Sequence, residues 1–138
     1  MAAIFELSDE FGPEKIIHIN NHRAGLQAIV TIDNTSIGPA VGGVRIAPDV
    51  DLEECMRLAR AMSLKNAAAG LPHGGGKSVI IADPSMPVSE KERLIRAFAQ
   101  AIAQIYDYVP GPDMGTNETS MAWVRDETGR AVGLPRVL

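Results

Sequence analysis

The chain has 138 residues, enough for one domain with its own core, and its 46% apolar and 22% charged content is ordinary for a folded domain and excludes global disorder. Thirteen basic residues against 17 acidic ones give a net charge of −4, and no basic cluster marks a nucleic-acid groove or an anionic membrane surface as a partner. One cysteine, Cys55, excludes an internal disulfide and any multi-cysteine metal site. No stretch approaches the roughly 20 apolar residues of a membrane helix. Residues 1–10 lack the basic start and long apolar run of a secretory signal, and His18, His22 and His73 have no metal-ligand spacing. The expectation is a cytoplasmic, metal-free domain.

Lys15 to Asn20 reads as a short strand. Leu26 to Asp33 alternates, with Leu26, Ala28, Val30 and Ile32 on one face and Gln27, Thr31 and Asp33 on the other, and is a half-buried strand. Asn20, Asn21 and Gly25 between them suit a hairpin connection. Gly38 to Arg45 (G-P-A-V-G-G-V-R) holds a glycine pair, Gly42 and Gly43, where a ligand or another backbone can come close. Read alone, that stretch is a turn or bulge.

Asp51 to Ala69 reads as a helix. Asp51 is its N-cap, and Glu53 and Glu54 suit the positive end of the dipole. Leu52, Cys55, Met56, Ala59 and Met62 form its apolar stripe, and Gly70 and Pro72 stop it. Ser78 to Ala82 is a short apolar run without alternation, as for a central strand covered on both faces. Ser89 to Tyr106 is the most periodic segment, with Ser89 and Glu92 as a capping box and an apolar stripe from Leu94 to Ile105. Tyr108 to Pro110 is a short strand or edge. Thr116 or Asn117 caps a last helix that runs to about Thr128 and ends at Gly129. The order of elements predicts a single α/β domain with a mixed, partly parallel sheet flanked by helices. Residues 129–138 read as the start of a connection.

Gly70 to Ser78 (G-L-P-H-G-G-G-K-S) is the most informative stretch. Three consecutive glycines are costly unless something approaches the backbone or needs unusual torsions. It is not a phosphate loop: that motif needs glycine six residues before Lys77, where Leu71 stands, and it leads from strand to helix instead of helix to strand. The plain alternative is a tight turn with a solvated lysine. Lys65 lies three residues after Met62 on the preceding helix, beside the apolar stripe, where it is either a snorkelling surface lysine or partly desolvated. Two lysines close together in a partly buried site lower each other's pKa, and a neutral lysine is a general base. Asp113 sits in V-P-G-P-D-M-G-T-N, either favouring a helix N-terminus or handling protons opposite a lysine. No G-x-G-x-x-G occurs, so this chain carries no dinucleotide fingerprint.

Taken together and in this order, G-P-A-V-G-G-V-R, S-L-K-N, L-P-H-G-G-G-K and P-D-M-G-T-N followed by M-A-W resemble the N-terminal domain of the glutamate/leucine/phenylalanine/valine dehydrogenases. The resemblance runs from about Phe5 to Thr128. It implies a substrate-binding and dimerisation domain over 1–128 and, over 129–138, the start of a linker to a Rossmann domain. It also implies oxidative deamination of an L-amino acid to a 2-oxo acid and ammonia, with NAD or NADP bound by that second domain and none by this chain alone. A homo-oligomer, dimer or larger, is implied as well. By matching position, Lys65 corresponds to the lysine that holds the substrate carboxylate. Lys77 corresponds to the low-pKa catalytic lysine that activates water, and Asp113 to the acid that shuttles protons at the substrate nitrogen. Gly42 and Gly43 correspond to backbone lining the substrate.

Glutamate dehydrogenases of this family usually carry a lysine just before the paired glycines, and this chain has Val41. A side-chain carboxylate against valine would lack a partner, so an apolar amino acid is expected, with Met62 helping to line its pocket. The P-D-M-G-T-N…M-A-W stretch is closer to glutamate dehydrogenases. A different class of reading is a stand-alone module that binds amino acids or assembles without chemistry. A simple parallel sheet with Lys77 ahead of its strand and Asp113 after another would put the two at opposite ends.

Overall fold

A computed structural model describes residues 4–136. Its elements are β1 (Lys15–Asn21), β2 (Leu26–Ile32), β3 (Ala40–Ala47), α1 (Leu52–Ala68), β4 (Gly74–Ile81), α2 (Val88–Ile102), β5 (Tyr108–Pro112) and α3 (Glu118–Thr128). One sheet of five strands runs in the order β1-β2-β4-β3-β5. β1–β2 and β2–β4 are antiparallel, whereas β4–β3 and β3–β5 are parallel. The expected mixed α/β sheet is therefore present, with the hairpin pair at one edge and the parallel trio at the other.

The two faces of the sheet differ. Leu26, Ala28, Val30 and Ile32 of β2 join Val44, Ile46, Ile80 and Tyr108 under α2 and α3, where Leu94, Ile95, Phe98, Ile102, Met121 and Val124 complete the main core. The opposite face holds α1 over a thin cluster of Val50, Cys55 and Val79. α1 is capped as its sequence dictates, the Asp51 side chain accepting from Glu54 N at 2.8 Å. It lies close on β4: a Cβ on Gly75 would collide with Ala59 O and Ser63 Oγ. Buried Asn66 of α1 donates to Gly74 O at 2.8 Å and pins the start of that strand. No helix among the described residues is long and apolar enough to cross a membrane.

Three local expectations need correction. Gly38 to Arg45 is not a turn or bulge, since Ala40–Ala47 forms β3, paired on both sides within the parallel trio. The glycines are small because neighbouring chain segments crowd them, not because the backbone bends. The glycine run before Lys77 is likewise no tight turn, since β4 begins at Gly74 and Lys77 is its fourth residue. Finally, Ser89 and Glu92 form no capping box. α2 starts one residue earlier, at Val88, behind Pro87 and without a side-chain cap.

α2 also stops at Ile102, short of Tyr106. Its last carbonyls are claimed by Arg130, whose guanidinium donates to Ile102 O, Ala103 O and Ile105 O at 2.7 to 3.0 Å and to Tyr108 O at 3.1 Å. Val132 N donates to Pro110 O at 3.0 Å, so the residues after α3 lie along β5. α3 itself has the expected ends: an Asn117–Ser120 capping box and left-handed Gly129 at φ 75°.

Candidate functional site

The α1-facing side of the parallel trio is built from small and charged residues. Side chains alternate along a strand, and directly paired residues share a face. Gly75 and Lys77 of β4, and Val41, Gly43 and Arg45 of β3, therefore point toward the α1 side. The register pairs Gly43 with Gly111 and Val44 with Pro112, so Asp113 follows one step beyond β5, beside Arg45.

Lys77 is 4% exposed, and its Nζ lies 3.0 Å from Asp113 Oδ2. Lys77 lies on β4 and Asp113 just past the end of β5, two strands separated by β3 and about 9.5 Å apart from axis to axis. The lysine side chain spans that gap over Gly43. A Cβ on Gly43 would lie 2.7 Å from Asp113 Cβ and 2.8 Å from Pro112 O. Glycine at 43 thus keeps the passage between Lys77 and Asp113 open. The apparent conflict over opposite sheet ends disappears because Lys77 lies inside its strand, three residues past the start.

Arg45 is a further member of the cluster. Its Nε donates to Asp113 Oδ2 at 2.7 Å, and its Nη1 lies 3.6 Å from Glu54 of α1. Burial raises the Asp113 carboxyl, but hydrogen bonds from Arg45 and Lys77 outweigh it and hold the group below its ordinary value. The loop is fixed from behind as well. Asp113 N donates to Thr116 Oγ1 at 2.9 Å, and that hydroxyl donates to Val44 O at 2.8 Å.

A second network holds β3 from the core side. Ser78 Oγ donates to Tyr108 Oη at 2.6 Å, and the Tyr108 hydroxyl donates to Gly42 O at 2.9 Å. Burial pushes the Tyr108 phenol well above its usual range, so it remains a donor. Neither Arg45 nor the Ser78–Tyr108 pair was expected from sequence. The signal for Arg45 was present: two residues after Gly43, it shares that residue's face once the segment is taken as a strand.

Lys65 and Met62 make no hydrogen bond or ion pair with this cluster among the described residues. Met62 is half-buried and Lys65 is exposed. Glu54, Leu58, Met62 and Lys65 follow one another at helical spacing along one flank of α1, and the Glu54–Arg45 contact turns that flank toward β3. The near neighbour of Lys77 is the Asp113 carboxylate. Val41 is half-buried, and Gly42 and Gly43 are buried. Two cavities of about 480 and 510 Å³ open beside α1, around Asp33 and Arg60, and neither is lined by Lys77 or Asp113.

The model of the family described as Glu/Leu/Phe/Val dehydrogenase, dimerisation domain, matches residues 13–130. The chain belongs to that family. It is 37% identical over 136 residues to a leucine dehydrogenase of Bacillus subtilis (strain 168), an alignment covering 95% of this chain and 37% of that protein. It is 41% identical over 133 residues to a valine dehydrogenase of Streptomyces virginiae, covering 90% and 37%. The fold superposes on the crystal structure of L-tryptophan dehydrogenase from Nostoc punctiforme with a TM-score of 0.83 at 30% identity, covering 94% of this chain and 39% of that one. The chain thus spans little more than a third of the length of the curated relatives it matches. Among the described residues, Lys77, Asp113 and Arg45 form one ion-pair cluster on the α1-facing side of the parallel trio.

Proposed function

We propose that this chain is the substrate-binding and catalytic part of an NAD- or NADP-dependent L-amino acid dehydrogenase that converts an apolar amino acid to its 2-oxo acid and ammonia. The observation that carries the proposal is the pairing of buried Lys77 with half-buried Asp113, 3.0 Å apart across Gly43, in a chain of the amino acid dehydrogenase family. Lys77 is the general base toward the water that adds to the imino carbon. Asp113 takes and returns the protons of the substrate nitrogen. Lys65, on the flank of α1 turned toward β3, is a cation for the substrate carboxylate. Gly42 and Gly43 supply backbone that a substrate can approach, and Val41 and Met62 line the side-chain pocket.

The residues of this chain do not fit a dinucleotide. No glycine fingerprint is present, and the loop from β3 to α1 contains no glycine. The start of α1 carries Asp51, Glu53 and Glu54, which disfavour a pyrophosphate. The chain's own work is therefore to bind the amino acid and move its protons.

The apolar preference rests on Val41. The one cation on β3, Arg45, is already engaged by Asp113 and Glu54. Leucine and valine dehydrogenases among the relatives agree with it. The family description supports a homo-oligomer assembled through this domain.

The test is an oxidation assay of the protein purified at its native length, with leucine, valine, phenylalanine and glutamate and with NAD and NADP. Turnover of the apolar substrates is expected, with Lys77→Met lowering kcat by about 10²–10⁴. Leucine binding without turnover at native length would favour the non-catalytic module. Normal turnover by Lys77→Met would remove Lys77 from its role.

A further inference from the structure

We propose that Arg45 is a positioning residue for Asp113, an anchor that holds the carboxylate in place while Lys77 exchanges protons. The inference deepens the proposed function and rests on it.

Both cations contact the same oxygen, Oδ2, from two different strands. Asp113 Oδ1 takes no hydrogen bond among the described residues and is the oxygen free to meet a proton donor. The two cations are not equivalent. A lysine that serves as a base must lose its charge during turnover, and its hold on Asp113 then weakens. A guanidinium stays charged throughout. Arg45 can therefore keep Oδ2 fixed when Lys77 is neutral. Arg45 is itself held, because Glu54 meets it from α1 and Arg57 meets Glu54 at 3.9 Å. Its side chain is 17% exposed, so the contact with Asp113 is largely shielded from water and salt. Thr116 fixes the Asp113 backbone to the same strand, β3, so Arg45 completes a two-point attachment of Asp113 to its neighbour.

The groups facing Asp113 are Lys77 from β4 and Arg45 from β3, with Glu54 of α1 behind Arg45 and the Tyr108 phenol of β5 as a more distant polar neighbour. Replacing Arg45 removes one of the two cations that favour the carboxylate form.

The experiment has two arms. In the chain itself, carbon-13 NMR follows the Asp113 carboxyl through a pH titration. Arg45→Gln is expected to raise its midpoint by about one pH unit, and an unmoved midpoint overturns the proposal. In the native-length protein, Arg45→Gln is expected to lower kcat about 10- to 100-fold with KM for leucine within about twofold. Arg45→Lys, which keeps the charge but not the directed Nε donor, is expected to recover part of that loss. If the Gln variant fails to fold, Arg45→Lys decides: a lowered kcat at unchanged KM supports the anchor, and wild-type kcat overturns it. Full kcat in Arg45→Gln while Lys77→Met is inactive sinks the anchor and leaves the proposed function standing. No turnover of any amino acid by the unsubstituted protein sinks both.

Discussion

Lys77 and Asp113 meet over the backbone of a third residue: the ammonium passes above Gly43 to reach the carboxylate 3.0 Å away. Neither residue belongs to a strand adjacent to the other's. Their pairing depends on β3 lying between β4 and β5 and on that strand lacking a side chain at one position.

Gly43→Ala tests this dependence directly. The added methyl would sit 2.7 Å from Asp113 Cβ and 2.8 Å from the Pro112 carbonyl, so the start of the loop after β5 must move. Overpacking of this kind costs about 1–3 kcal/mol. The expected result is a lowered melting temperature together with loss of turnover. An active enzyme of normal stability would show that the passage tolerates a methyl group after all.

The acid limb of stability follows from Asp113. Its carboxyl sits below the ordinary value of 3.8 in the folded chain, so the unfolded state binds the proton more readily. The contribution is complete above the unfolded value and is lost as pH falls below 3.8 through the lower folded value. Asp113→Asn should destabilise the protein by about 3 kcal/mol at pH 7, because it leaves Lys77 and Arg45 without their shared anion. Guanidinium unfolding from pH 7 down to about pH 2.5 should show the wild type and variant converging at the acid end. Parallel curves would mean that the carboxylate contributes nothing through its charge.

Tyr108→Phe retains the ring in the core but removes the hydroxyl between Ser78 and Gly42. It leaves the Ser78 hydroxyl and the Gly42 carbonyl without that partner, at a cost of about 1–3 kcal/mol. Urea denaturation measures the loss. Because Gly42 precedes the residue over which Lys77 passes, kcat should fall as well, whereas a packing change elsewhere in the α2/α3 core should lower stability alone.

Val41→Lys places a cation on the face of β3 that carries Gly43. The ratio of kcat/KM for glutamate to that for leucine should rise by at least about tenfold, since a buried carboxylate without a partner is strongly disfavoured. An unchanged ratio would place the substrate side chain away from Val41.

The elements with strong local chemistry are legible in the sequence. Asp51 and Asn117 cap α1 and α3, Gly129 ends α3, and the alternating apolar residues of β2 face the core. Lys77 and Asp113 are recognisable as partners from their motifs. What the residues conceal is β3 and the first half of β4. Glycine has no side chain to create a periodic pattern, so a strand made of glycines looks like a loop. Those glycines are set by contacts between segments far apart in the chain, such as α1 on Gly75 and the loop after β5 on Gly43. The same gap hides Arg45, whose orientation follows only once β3 is a strand. The premature end of α2 depends on Arg130, 28 residues beyond Ile102, and no local rule anticipates it.

The two faces of the sheet are held by different means, one by apolar packing and the other by close backbone approach and polar contacts. Most large apolar contacts lie on the α2/α3 side, whereas α1 rests on a few residues, a close backbone approach and polar contacts. Elements with few buried apolar contacts open at lower free energy than the rest of a fold. Amides of α1 should therefore exchange with solvent before those of β2, β4 and α2. Under the proposed function, the helix that carries Met62 and Lys65 is therefore the element expected to adjust between substrates, ahead of the strand that carries Lys77.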